Sequence, residues 1–172
     1  MNWTELLKGS IEYNYTVTEK LIKQVGDGDL GWKPATGQNW MTIGQLLRHI
    51  SDSCGSGFRG FVTGDWGLPE GMDFSDLGPE DMLPPAEKLP SVSSVAEALE
   101  LLGEDKRLAV DNLAGCSEQD LAGKVMPAPW DPEPAVLGQW LLRSVLHLTQ
   151  HKGQLFYYLK LMGKPVNTND LW

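Results

Sequence analysis

The stretch LHLTQHKGQLFYYLK, residues 146–160, carries two histidines four apart, His147 and His151, within an apolar pattern of helical period. Residues four apart on an α-helix share one face at about 6 Å, so both rings can aim at a single point. The chain has only three histidines, and the third, His49, lies in a second apolar segment, WMTIGQLLRHI (40–50). If the two segments are helices that pack antiparallel or crossing, all three imidazoles come to a similar depth. The fold therefore turns on whether helices can be assigned along the rest of the chain.

They can. Leu6, Leu7, Ile11, Tyr15, Leu21, Ile22 and Val25 recur mostly at three- and four-residue intervals, which predicts a helix over 3–25 ending at GDGD. Residues 26–40 are rich in glycine, contain Pro34 and form a connection. A second helix starts near Trp40 or Thr42 and carries Ile43, Leu46, Leu47 and Ile50. It is expected to continue as one element, bent at the glycines of SDSCGSGFRG, through Phe58, Phe61 and Val62. A third begins near Ser93, where serine–glutamate spacings offer an N-terminal cap, and runs to Leu113 with Gly103 as its weak point. The fourth spans about 135–162 and stops at Gly163, with Pro165 beyond. Four helices, the longer ones about 30 Å, predict an all-α four-helix bundle built as a single domain over residues 1–172. Its loops between helices 2 and 3 (64–90) and between helices 3 and 4 are long. The first holds seven acidic residues against one lysine, together with Trp66, Met72, Phe74 and Met82, which are expected to pack down in part. In the second, KVMPAP can form a short extended piece; no run alternates for long enough to build a sheet.

Composition narrows the function. Fourteen basic residues against 23 acidic give a net charge of −9, and the basic residues are scattered singly, which argues against a nucleic-acid partner. No apolar run is long enough to span a membrane, and MNWTELLKGS lacks the basic region and apolar core of a signal peptide, so a cytoplasmic protein is expected. The two cysteines, Cys54 and Cys116, have no C-x-x-C spacing. Cys54 falls about 140° off the face of His49 on an ideal helix and is expected to be a small buried side chain.

Three neutral imidazoles suit a divalent late first-row ion, zinc or nickel, and leave positions open for water and substrate. An ion in such a site acidifies a bound water or a bound thiol, and the sequence does not choose between them. Hydrogen-bonded core histidines are the alternative, because H-x-x-x-H alone only permits a metal. Leu148 stands where a zinc protease needs its glutamate, so that mechanism is excluded. Around the three histidines, Gln45 and Asp52 on helix 2 and Gln154 on helix 4 are candidates for supporting or substrate contacts. Arg143, four before His147, is a candidate anion contact, with a salt bridge to a carboxylate as the alternative. Trp40, Trp66, Trp130 and Trp140 are either core or the lining of an apolar pocket, and Gly153 is expected to allow close helix packing.

WMTIGQLLRHISDS, HLTQHKGQLFYYLKLMGKP and the closing PVNTNDLW resemble the DinB-like (DinB/YfiT) superfamily of metal-binding four-helix bundles. The likeness is specific at His49 and at His147 and His151 with Lys152, Gly153, Gln154, Tyr158, Leu159, Gly163 and Pro165. It implies an up-up-down-down style bundle, a divalent ion on the three histidines and a homodimer. It further implies a metal-dependent enzyme acting on a small molecule, in some relatives a transferase or isomerase that uses a low-molecular-weight thiol. A non-catalytic metal-stabilised bundle with a binding or stress-related role is the alternative.

Overall fold

The computed structural model describes residues 2–78, 82 and 84–172. The first helix, α1 (Trp3–Ile22), opens on a reciprocal cap in which the Asn2 side chain accepts from the Glu5 amide and the Glu5 carboxylate accepts from the Asn2 amide. Thr42 and Gln45 form the same device at α2 (Ile43–Ile50), and Ser94 caps α4 (Val95–Ala114) through the Glu97 amide. Between α2 and α4 lies α3 (Gly55–Thr63), which ends at Gly64 with φ +81°. The last long helix, α6 (Leu137–Leu161), stops where the sequence predicts: Gly163 takes φ +76°, a conformation that side-chain-bearing residues rarely adopt. The apolar faces of α1, α2, α3, α4 and α6 share one continuous core. Within it α3 packs on α4, α1 on both α4 and α6, and α2 and α3 on α6. Among the described residues, no helix is long and apolar enough to cross a membrane.

Two expectations need correction. The second helix is not one bent element, because residues 51–54 leave helical geometry and α3 restarts at Gly55. The cause lies on α4. The Asp105 carboxylate, on a residue only 2% exposed, accepts from the Cys54 amide at 3.3 Å and the Ser56 amide at 3.2 Å, satisfying amides that the new helix start leaves without partners. Tyr15 of α1 donates its hydroxyl to the same carboxylate at 2.7 Å. The helices meet so closely here that a Cβ on Gly55 would stand 2.0 Å from the Asp105 carbonyl oxygen. Gly55→Ala is therefore expected to cost about 3 kcal/mol, because a fixed backbone atom must move. Gly57→Ala meets the Ser144 hydroxyl, which can rotate away, and the Ser144 Cβ only at 3.1 Å, and should cost less. Urea unfolding of the two variants measures the difference.

The second correction concerns the connection after α4, where KVMPAP is extended as expected but is paired into a small sheet, which was not expected. The connection forms a short helix, α5 (Glu118–Gly123), followed by an antiparallel hairpin of β1 (Val125–Ala128) and β2 (Asp131–Val136). Pro127, Pro132 and Pro134 are tolerated because each strand has only one neighbour and needs only half of its amide hydrogen bonds. Trp140 fastens the hairpin to α6 by donating its indole N–H to the Met126 carbonyl at 2.8 Å.

Of the apolar residues in the acidic loop, Trp66 and Phe74 do pack down, in a cluster with Phe61 and Trp130. Met72 and Met82 are exposed. Residues 79–81 and 83 of that loop lie outside the described residues.

Candidate metal centre

His49 projects from α2, and His147 and His151 project from α6. The Nε2 atom of His49 lies 3.2 Å from that of His147 and 3.0 Å from that of His151, and all three donor atoms fall within 4.8 Å of one another. For tetrahedral bonds of about 2.05 Å, the edge between two nitrogens is roughly 3.3 Å, so the two spacings from His49 are those of ligands to one small cation.

Hydrogen bonds on the far side of two rings decide which nitrogens carry lone pairs. Nδ1 of His147 stands 3.1 Å from the Ser53 carbonyl, which can only accept. That ring is therefore protonated on Nδ1 and bare on Nε2. For His151 the logic runs through three residues. Tyr158 donates its hydroxyl to the Met41 carbonyl at 3.2 Å, so its oxygen is left to accept from the Gln154 amide nitrogen, also at 3.2 Å. The Gln154 oxygen then faces His151 Nδ1 at 2.9 Å and must receive its proton. His151 too presents a bare Nε2. A proton on His49 Nε2 could satisfy one of these lone pairs, whereas a cation satisfies all three.

Charge state agrees with ligation. Burial pushes the His49 imidazole down to about 4, helped by His151, then His147, then Arg48. Burial also lowers His147 and His151, opposed respectively by the bonds to Ser53 and Gln154. Neutral imidazole is the form that binds metal. No fourth histidine, cysteine or carboxylate joins the cluster among the described residues.

The other candidates separate. Gln154 holds the His151 ring through Nδ1 at 2.9 Å. Gln154→Leu is expected to weaken metal affinity ten- to a hundredfold while preserving occupancy at excess metal, as chelator competition would measure. Gln45 is committed to structure: its oxygen accepts from the Thr42 amide, and its nitrogen donates to the carbonyls of Ala86 and Leu89 at 2.7 and 3.0 Å. It thus pins the end of the acidic loop against α2. Asp52 stays outside the cluster but lines a cleft of about 170 Å³ beside His49. Arg143 is not brought to the site. Its guanidinium lies 4.3 Å from the Trp140 ring centroid and 3.7 Å from Asp131, the salt-bridge alternative.

Trp66 lines a larger cavity, about 490 Å³ between α3 and β1, which shares no residue with the histidine cleft; Trp140 and Trp130 pack beside it against Phe61. Trp40 instead packs edge-on against Tyr158. Cys54 is fully buried, and burial raises its thiol pKa, so it is the inert small side chain expected. Ser53, Arg48 and Asp105 were not foreseen as parts of this region. Tyr158 was visible in the sequence, four past Gln154 and seven past His151 on one face, although its role in the relay was not.

The sequence model of the DinB superfamily matches residues 10–155, including all three histidines. The chain belongs to the DinB superfamily. Among solved structures, a DinB-like protein from Bacillus cereus superposes with a TM-score of 0.68 at 18% identity, over 95% of each chain. A protein assigned to the DinB family from Exiguobacterium sibiricum gives 0.67 at 19% identity, over 100% of this chain and 99% of that one. A conserved protein from Enterococcus faecalis gives 0.67 at 19%, over 95% and 99%. At these identities the structures establish the DinB fold. No curated protein matches the chain.

Proposed function

We propose that this DinB-superfamily chain is a metal-dependent enzyme in which His49, His147 and His151 hold one divalent ion, zinc or nickel, and a small molecule binds beside it. The observation that carries this reading is the set of converging Nε2 lone pairs, two of them fixed by Ser53 and Gln154, with no fourth acidic, thiol or imidazole ligand in the cluster among the described residues. A structural site is normally closed by a fourth protein ligand, and a three-ligand site keeps positions for exchangeable groups. An ion held there supplies Lewis acidity, which lowers the pKa of a coordinated thiol or water.

Thiol-dependent S-transfer is the reaction class we infer. A low-molecular-weight thiol gives up its proton, its sulfur bonds an electrophilic carbon, and the leaving group departs with the bonding pair. The protein's own part is to keep the imidazoles neutral and aimed, and to offer the small cleft beside His49. Elemental analysis of purified protein, followed by a screen of several thiols against halogenated and epoxide electrophiles, tests the reading. Metal at one ion per chain with turnover supports it. Metal that raises Tm without turnover by any thiol favours a non-catalytic, metal-stabilised bundle.

We also infer a homodimer through the outer face of α6. Leu146, Tyr157 and Leu161 are 49–67% exposed along one stripe there, and a Cβ on Gly153 would meet no other element within 4 Å among the described residues, so the close packing expected of Gly153 has no partner among them. Sedimentation should give a dimer that becomes a monomer in the Tyr157→Glu/Leu161→Glu double variant.

A further inference from the structure

The cleft beside His49 is lined by Gln45, Arg48, His49, Asp52, Leu89 and Pro90. Gln45 spends its hydrogen-bonding groups on Thr42, Ala86 and Leu89, and thereby sets Leu89 and Pro90 as an apolar wall. Two charged side chains remain. Among the described residues, the Arg48 guanidinium makes no hydrogen bond, and its paired carboxylate, Asp52, stands 3.9 Å away. Glu97, which also feels the charge of Arg48, is already held by the amide and hydroxyl of Ser93. The side chain is only 32% exposed, so a fork of N–H donors is partly sheltered beside an imidazole of the metal site. Arg143 and Arg59 make ion pairs of similar length, with Asp131 and Asp65, but neither lines this cleft. On a chain of net charge −9, a small anion is drawn to a position where a cation is sheltered and makes only a long ion pair, with the more exposed Asp52 at 3.9 Å, which the anion can displace.

We propose that Arg48 is the anion-recognition residue of this site, taking a carboxylate of the small molecule whose other end reaches the metal. This rests on the proposed metal site. Arg48 is a specificity residue: its planar fork accepts both carboxylate oxygens, which an ammonium cannot reproduce. The carboxylate belongs either to the thiol or to the electrophile, and two probe pairs distinguish these sources.

The experiment uses cobalt-loaded protein, with cobalt content measured first and binding followed by the visible spectrum. The thiol pair is 3-mercaptopropionate against 2-mercaptoethanol. The second pair is acetohydroxamate against the monohydroxamate of succinic acid, which reaches the metal without a thiol and stands for a carboxylate on the electrophile. Wild type should bind the carboxylate-bearing member of at least one pair ten- to a hundredfold more tightly. Arg48→Met should erase that preference while cobalt content, Tm and the Kd of the neutral member stay within threefold, and Arg48→Lys should restore it only in part. Equal affinity within both pairs in wild type, or a preference that survives in Arg48→Met, overturns the proposal while leaving the metal site standing. Failure of wild type to take up cobalt overturns both.

Discussion

Alanine at any one of His49, His147 or His151 is expected to reduce bound metal from near one ion per chain to below about a tenth after dialysis against a weak chelator. A structural zinc site is worth roughly 10–16 kcal/mol across four ligands, so one imidazole carries about 3 kcal/mol, on the order of a hundredfold in affinity. The loss should be similar at all three positions, because the Nε2 atom of His49 lies within 3.2 Å of both others and no carboxylate or thiol belongs to the cluster among the described residues. Folding should survive, since the three rings are half-buried and the core around them is supplied by other side chains. Elemental analysis with a parallel thermal melt checks both halves. Full occupancy in all three variants would remove the metal site altogether.

The largest loss of stability is expected at Asp105→Ala, about 3–5 kcal/mol by urea unfolding. The substitution strands the buried Tyr15 hydroxyl and the amides of Cys54 and Ser56 at the start of α3, each left without its acceptor. Asp105→Asn keeps the shape and one acceptor oxygen and should lose less. The pH dependence has a definite sign. Burial, the largest cause, raises the Asp105 carboxyl above its ordinary value, with the Tyr15 bond opposing. The folded state therefore holds this proton more tightly than the unfolded chain. Its contribution is fully present below the unfolded carboxylate value near 3.9 and fades as pH rises through the higher folded value. The stability of wild type relative to Asp105→Asn should grow on acidification across that window, and a flat difference would contradict the assignment.

The long helices were legible because their signals are local. Apolar residues recur at helical spacing, Ser94 offers a cap, and Gly163 with Pro165 forbids continuation. The three histidines were legible because there are so few. What the sequence hid was decided at a distance. The end of α2 is set by a carboxylate on α4, about fifty residues away, and nothing in SDSCGSG announces it. Of the hairpin, KVMPAP was legible as an extended piece, but its pairing was hidden for a different reason: DPEPAV is proline-rich and nowhere buried, so no alternation marks it as a partner strand. Gln45 looked like a site residue from its spacing, but the spacing could not show that its amide is spent on Ala86 and Leu89. The place of Arg48 was not legible because an arginine on an amphipathic helix reads as a solvated charge, and its partial burial in the cleft, with Asp52 at 3.9 Å, is a property only of the folded chain.

The four residues between α2 and α3 serve two masters at once. On one side the Cys54 amide is taken by Asp105, with that of Ser56 just inside α3; on the other, the Ser53 carbonyl, lying ahead of the α3 ladder, is left to hold the proton of His147. Ion capture at the proposed site and the docking of α4 would thus share a single linker, and any coupling between them acts equally in both directions. Bound metal should slow exchange of the Cys54 and Ser56 amides, and loosening Asp105 should weaken the hold on an ion whose ligands it never touches.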